Sequence, residues 1–309
     1  MALLFQSLID SATRWTDELR RLLPDLDVRV WPQIGDSAEI AAALVWRPPQ
    51  GLLASLPNLR LVASLGAGVD HILADPLLPK AVPIVRLVDP YMTAAMSEYV
   101  QHQVLRLHHQ DPAYRAQQHQ RLWRELPQPN ASDRRVGVLG LGTLGGDAAL
   151  KLCVLGFDVA GWSRTERKLP GIACFQGEDG LKAVLARSEI LVCLLPLTPA
   201  TDGILDARLF AGLPRGAAII NCARGRHLVE ADLIPALDSG RLSAAVLDVF
   251  RDEPLPGGHP FWDDPRIIIT PHVAAATHAP TAAPAVADNL RRLRQGRPLL
   301  NRVDPARGY

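Results

Sequence analysis

Three sets of residues in this sequence have the types and spacing to do chemistry. Gly140, Gly142 and Gly145 form a G-x-G-x-x-G turn that also holds Leu141, Thr143 and Leu144. It follows the apolar run Val136–Leu139 and precedes a helix-like stretch, Asp147–Leu155. The first glycine permits a tight turn, the second lets backbone approach a pyrophosphate, and the third lets helix pack on strand. The amides at the helix start then face the phosphates. A glycine-rich loop with no ligand is the plain alternative. A strand before the turn, a helix after it and a second strand at the expected distance favour a dinucleotide.

The end of that second strand selects between cofactors. A site for NAD places Asp or Glu there to accept from the ribose 2′-hydroxyl. Here the run is Asp158-Val159-Ala160-Gly161-Trp162-Ser163-Arg164-Thr165, and Asp158 lies at its wrong end. Ser163, Arg164 and Thr165 offer hydroxyls and a guanidinium, with Arg167 and Lys168 close behind. A guanidinium suits a 2′-phosphate that a carboxylate would repel. A solvated surface arginine is the bland reading; NADPH (NADP) is the expectation.

Arg224, Glu253 and His272 form the third set, each just past an apolar run: Asn221-Cys222-Ala223-Arg224-Gly225, Leu247–Pro254 and Ile269–Ala275. Carboxyl ends of strands in an open parallel sheet line one crevice, where ligands bind. Reduction of a 2-ketoacid needs a cation at the carboxylate and carbonyl oxygen, and a proton for the developing alkoxide. Arg224 supplies the first by charge-assisted hydrogen bonds. His272 supplies the second, because an imidazole titrates near working pH. Glu253, paired with His272, would favour the imidazolium and fix which ring nitrogen faces substrate. Each residue alone reads as structural or solvated; their order at successive strand ends is harder to dismiss.

The elements needed to position these residues are legible in the hydrophobic pattern. Short apolar runs at Leu3–Phe5, Val28–Trp31, Ala43–Trp46, Leu61–Leu65 and Val82–Leu87 alternate with helix-like stretches. Residues 94–125 read as one long helix with a kink or break at Pro112. Six more strands follow at Val136–Leu139, Val159–Trp162, Ile190–Leu195, Ala217–Asn221, Ala244–Val249 and Ile267–Thr270. A final helix near Ala282–Gln295 stops at Gly296 and is expected to pack against the first domain. The expected fold is α/β, with two Rossmann-like or flavodoxin-like parallel-sheet domains and a cleft between them. One domain, flavodoxin-like and substrate-binding, would combine 1–99 with 282–309; the NADP-binding Rossmann domain would span 100–281.

Composition excludes other classes. The 309 residues carry a formal net charge of +1 with both signs dispersed, so no nucleic-acid footprint is expected. No apolar run is long enough to cross a membrane, the first residues do not make a signal peptide, and a soluble, cytoplasmic protein is expected. Cys153, Cys174, Cys193 and Cys222 form no C-x-x-C pair and read as inert thiols, so no metal is expected.

With these motifs in place, nearly the whole chain resembles the D-2-hydroxyacid dehydrogenase family. Within it, the sequence is most similar to the bacterial glyoxylate/hydroxypyruvate reductases of the A type. The resemblance rests on Trp46-Arg47-Pro48-Pro49, Leu65-Gly66-Ala67-Gly68-Val69-Asp70, the glycine turn with Trp162-Ser163-Arg164, and Leu195-Pro196-Leu197-Thr198-Pro199. It continues through the Arg, Glu and His motifs to the terminal Val303-Asp304-Pro305-Ala306-Arg307-Gly308-Tyr309. It implies the catalytic roles above and a nest of amides at Ala67, Gly68 and Val69 for the substrate carboxylate. Trp46 would lie beside the substrate and restrict its size. Cofactor contacts are further implied for Leu195, Pro196, Thr201, Cys222, Ala223, Asp248 and His272, and a homodimer formed through the cofactor domains with residues 100–125. The implied activity is NADPH-dependent reduction of glyoxylate to glycolate and hydroxypyruvate to D-glycerate. A reductase of bulkier, phenylpyruvate-type ketoacids is the alternative; a non-catalytic dinucleotide sensor is disfavoured by the intact triad.

Overall fold

The computed structural model describes residues 2–309, to which every count below refers. It forms two compact units, one from the chain up to Met92 together with Thr277–Tyr309, the other from Thr93–Ala276. The exchanges expected from the sequence lie at 99/100 and 281/282. The first lies inside a continuous helix, whose hydrophobic pattern does not change where the unit does.

In the first unit, β1 (Ala2–Gln6), β2 (Asp27–Val30), β3 (Ile40–Val45), β4 (Leu61–Ser64) and β5 (Ile84–Val85) form one sheet in the order β2-β1-β3-β4-β5. All of its ladders are parallel, and the order is that of flavodoxin-like sheets. The central strands are buried along their length, as expected of apolar strands covered on both faces. α1 (Ala12–Leu22) starts where the Ser11 side chain accepts from the Arg14 amide, and α2 (Asp70–Leu73) follows β4. The closing helix, Ala279–Arg294, packs against α1, and Arg294 pairs with Asp25 just beyond it. Gly296 at φ +65° ends that helix as a left-handed cap. The chain then lays Arg302 antiparallel against Val85, with Val303 donating to the Ile84 carbonyl, and so covers the β5 edge.

In the second unit, α3 (Pro90–His108) and α4 (Asp111–His119) replace the single helix expected over 94–125. Pro112 sits in the first turn of α4, where its missing N–H costs nothing. Gln110, in the left-handed region, makes the break between the helices, and residues 120–130 are irregular. β6 (Arg135–Leu139), α5 (Thr143–Val154), β7 (Asp158–Trp162), β8 (Ala173–Phe175), α6 (Gly177–Arg187) and β9 (Ile190–Cys193) come next. α7 (Ala207–Gly212), β10 (Ala217–Asn221), α8 (Glu230–Asp238), β11 (Leu242–Leu247) and β12 (Ile267–Ile269) complete the unit.

These strands make a parallel sheet in the order β12-β11-β10-β9-β6-β7-β8. It has seven strands where six were expected. The addition, β8, is a three-residue edge strand between polar loops, too short to show a period. Leu139, Leu191, Cys193 and Ile219 pack into the core on one face, Val138, Ile190, Val192 and Ile220 into that on the other. Chain order reverses between β6 and β9, and the glycine turn leaves β6 at that point. This switch point is where open α/β sheets bind ligands.

Candidate active site

The three motif glycines answer to three different neighbours. Gly140 has φ +100°, and a Cβ there would stand 2.6 Å from the Leu194 carbonyl oxygen. At Gly145 a Cβ would fall 1.9 Å from the Gly140 carbonyl oxygen, so α5 packs directly on the turn. At Gly142 a Cβ would meet no protein atom within 4 Å. Only this glycine is not required by the protein's own packing, and it borders open space. α5 begins straight after Gly142 with no side chain capping it, which leaves its first amides for an anion. The turn therefore fits a dinucleotide pyrophosphate on its own geometry. Residues Thr143 and Leu144, expected in a loop before the helix, form its first turn.

At the far end of β7, Ser163 is buried and its hydroxyl donates to the Thr165 carbonyl at 2.7 Å. Its proton is thus used to shape the loop that presents Arg164 and Thr165, both exposed. Asp158, at the other end of the strand, is paired with Arg187. No carboxylate stands among residues 163–165 to repel a phosphate.

The residues after β9 and β10 contribute mostly backbone. Leu195, Cys222 and Ala223 are buried, and Pro196 is half-buried. Burial pushes the Cys193 thiol up to about 12 and the Cys222 thiol well above its ordinary value, which makes both inert core groups. The Thr201 hydroxyl donates to the Pro196 carbonyl at 2.7 Å and accepts from the Thr198 amide at 2.9 Å, closing its loop on itself. Half-buried Arg224 follows β10 in extended backbone, with Nη1 donating to the Ala223 carbonyl at 2.8 Å. Asn221, fully buried, holds this turn: its Nδ2 donates to the Arg224 carbonyl at 3.0 Å. A Cβ at Gly225 would lie 1.8 Å from the Phe250 carbonyl carbon. Only glycine lets the Arg224 turn sit against the segment that leads to Glu253.

Glu253 and His272 meet. Glu253 Oε2 is 2.9 Å from His272 Nδ1, while Glu253 Oε1 accepts from the Phe250 amide at 3.1 Å. Both oxygens of the carboxylate are therefore engaged before any ligand binds. The carboxylate fixes the Nδ1–H tautomer. His272 has φ +54°, a left-handed conformation that costs a non-glycine residue on the order of 1 kcal/mol or more and persists only when its surroundings enforce it.

Asp248 enforces it. The His272 amide donates to the Asp248 carbonyl at 2.8 Å, and the Asp248 carboxylate accepts from the Val273 and Ala274 amides at 2.9 and 3.0 Å. It also accepts from Thr270 Oγ1 at 2.6 Å. Since that hydroxyl proton is committed, Tyr99 must donate to Thr270 Oγ1 across 2.7 Å. Burial pushes the Asp248 carboxyl above the usual carboxylate range, against the pull of its donors. Tyr99 and Thr270 had no spacing signal, because they lie 171 residues apart.

The first unit carries the remaining expected residues. Ser64 accepts from the Gly66 amide at 3.2 Å and donates to the Gly68 carbonyl at 2.9 Å, bracing the turn that holds Ala67, Gly68 and Val69. α2 starts at the next residue with no side-chain cap, so amides there can receive an anion. The Trp46 indole lies across this turn: a Cβ on Gly66 would be 2.5 Å from its ring, and the indole packs on His71 at 4.4 Å between centroids.

A glycine turn at the switch point of a parallel sheet, with a carboxylate–imidazole pair and an arginine at strand ends of the same sheet, defines a nicotinamide-dinucleotide oxidoreductase. Residues 102–274 match the family model for the D-isomer specific 2-hydroxyacid dehydrogenase NAD-binding domain. Glyoxylate/hydroxypyruvate reductase A of Yersinia enterocolitica is 44% identical over the full length of both chains. A D-isomer specific 2-hydroxyacid dehydrogenase from Xanthobacter autotrophicus, solved with NADPH and MES, is 47% identical, with a TM-score of 0.95 over 100% of this chain and 99% of that one. An NADPH-dependent glyoxylate/hydroxypyruvate reductase from Sinorhizobium meliloti, solved with NADP and sulfate, is 41% identical, with a TM-score of 0.93 at the same coverage. The chain belongs to the D-isomer specific 2-hydroxyacid dehydrogenase family.

Proposed function

We propose that this chain is an NADPH-dependent reductase of small 2-ketoacids, taking glyoxylate to glycolate and hydroxypyruvate to D-glycerate. The observation that carries the reading is the Glu253–His272 contact at 2.9 Å beside the arginine turn of the same sheet. NADPH, when bound at the glycine turn, supplies the hydride that reaches the carbonyl carbon. His272 Nε2 gives its proton to the carbonyl oxygen as that carbon becomes tetrahedral, and Glu253 holds the ring in place through Nδ1. Arg224 holds the carboxylate and polarises the carbonyl. The amides of Ala67, Gly68 and Val69 bind the substrate carboxylate, Trp46 limits its size, and Arg164 and Thr165 take the 2′-phosphate.

Trp46 favours this reading over a reductase of phenylpyruvate-type substrates, since the indole is wedged on Gly66 and His71 and has little room to swing away. A homodimer is supported by Trp123, 98% exposed, and Leu122 beside it, an apolar surface that a second copy would cover. No helix among the described residues is long and apolar enough to cross a membrane. All four cysteines are free, which supports a reducing, cytoplasmic setting. The purified protein is mixed with NADPH and glyoxylate, hydroxypyruvate or phenylpyruvate, and loss of reduced-cofactor absorbance is followed. Turnover of the two small acids is expected; inactivity with every ketoacid would overturn the proposal.

A further inference from the structure

His227 lies three residues past Arg224 and is fully buried, with no part in the chemistry above. Its ring spans two loops. Nδ1 stands 3.2 Å from both the amide nitrogen and the carbonyl oxygen of Arg224, and Nε2 stands 3.4 Å from the Pro196 carbonyl oxygen. The Arg224 carbonyl already accepts from Asn221 Nδ2 at 3.0 Å and from the His227 amide at 3.1 Å. Its two lone pairs are used, whereas the Arg224 N–H needs an acceptor. The ring is therefore the Nε2–H tautomer: Nδ1 accepts from Arg224 and Nε2 donates to Pro196. That carbonyl is the one Thr201 also engages, at 2.7 Å. Two further backbone bonds, Gly203 to the Arg226 carbonyl and Leu205 to the His227 carbonyl, each 2.8 Å, lace the same loops together.

β9 and β10 are neighbours, with Cys193 and Asn221 in register, so Pro196 and Arg224 each lie three residues beyond paired positions. The ladder resumes only at the Leu205–Leu228 bridge, and between that bridge and the strand ends the imidazole adds a side-chain tie, offering an acceptor and a donor on one rigid ring.

We propose that His227 is a positioning residue that ties the Arg224 turn to the Pro196–Thr201 loop, one ring nitrogen serving the arginine and the other the cofactor side. This rests on Arg224 as the substrate cation and on the Pro196–Thr201 loop as a cofactor contact. The two edges can be cut separately. His227→Asn retains an acceptor near the Nδ1 position and loses the reach to Pro196; His227→Gln retains a donor near the Nε2 position and loses the acceptor for Arg224. For His227→Asn, the NADPH Kd measured without ketoacid should rise about tenfold, with the glyoxylate KM at saturating NADPH unchanged. For His227→Gln the pattern should invert, with KM up about tenfold and the NADPH Kd unchanged.

A general loosening would move both constants together in both variants, and that outcome, or no change in either, overturns the proposal. Arg224→Ala run alongside separates the two ideas. If it leaves the glyoxylate KM intact, the role given to Arg224 fails; if it raises KM while the His227 variants are silent, only the positioning role fails. Should the variants not fold, the intact protein labelled with ¹⁵N-histidine decides. NADPH should shift the His227 Nε2 resonance and oxalate the Nδ1 resonance, and a ring indifferent to both overturns the proposal.

Discussion

His272 Nδ1 and Glu253 Oε2 are in hydrogen-bond contact at 2.9 Å although 19 residues separate them along the chain. The contact exists because β11 and β12 are adjacent parallel strands and both residues leave from their carboxyl ends. Glu253 is already held by the Phe250 amide, and His272 by the Asp248 carbonyl, so neither partner must be ordered when the pair forms. Such preorganisation suits the pair to the proton donation proposed for His272 and sets it apart from a surface ion pair, which would contribute little.

Glu253→Gln should keep the fold and lower kcat roughly a hundredfold, with KM little changed. A kcat measurement with unaltered thermal stability checks this; an unchanged kcat would show that Glu253 is not the partner of the proton donor.

The glycines of the cofactor turn should separate by variant. Gly142→Ala meets no protein atom within 4 Å, so thermal stability should hold while NADPH binding weakens. Gly145→Ala would drive a methyl to 1.9 Å from the Gly140 carbonyl oxygen and should cost about 1–3 kcal/mol of stability. Urea unfolding with a fluorescence titration of NADPH tests both at once. Equal stability losses in the two variants would contradict this division.

Arg164→Ala should raise the KM for NADPH by about tenfold or more, the loss of one charge-assisted contact, and leave NADH nearly unaffected. Its neighbour Ser163 has its hydroxyl donated to the Thr165 carbonyl. Ser163→Ala should thus disturb the loop and weaken both cofactors alike. The ratio of kcat/KM for the two cofactors is the measurement.

His108 gives stability a pH dependence of known sign. Burial, with the charges of His109 and Arg134, holds its imidazole below the ordinary value of 6.5. The Gln128 amide donates to Nε2 at 3.2 Å and opposes a proton there. Below 6.5 the unfolded chain binds a proton that the folded chain refuses, so stability is full above that value and falls as the pH drops further. Melting temperatures between about pH 8 and pH 5.5 should decline less steeply in His108→Gln than in the parent. Parallel slopes would assign the acid sensitivity elsewhere.

The sequence by itself marked out which residues have the types and spacing for chemistry and most of the elements that hold them. Gly140, Gly142 and Gly145 follow a local rule of spacing. Arg224, Glu253 and His272 each stand at the end of an apolar run, and a run buried on both faces is readable from composition alone. It did not show β8, because a three-residue edge strand has no period, and it marked a kink or break at Pro112 without deciding between them, because Pro112 reads the same at a helix start as at a kink.

Only the tertiary structure decided how those residues are held. That Gly142 faces open space while Gly145 faces backbone depends on packing from α5 and β9, not on the motif they share. The left-handed backbone of His272 is imposed by Asp248, and Asp248 is in turn held by Thr270 and Tyr99, a chain of contacts that closes over 171 residues. His227, one histidine among nine, acquires two distinct partners only when β9 and β10 lie side by side. Local spacing fixes what a residue can do. Contacts made across the sheet fix where its proton points, and spacing cannot encode those.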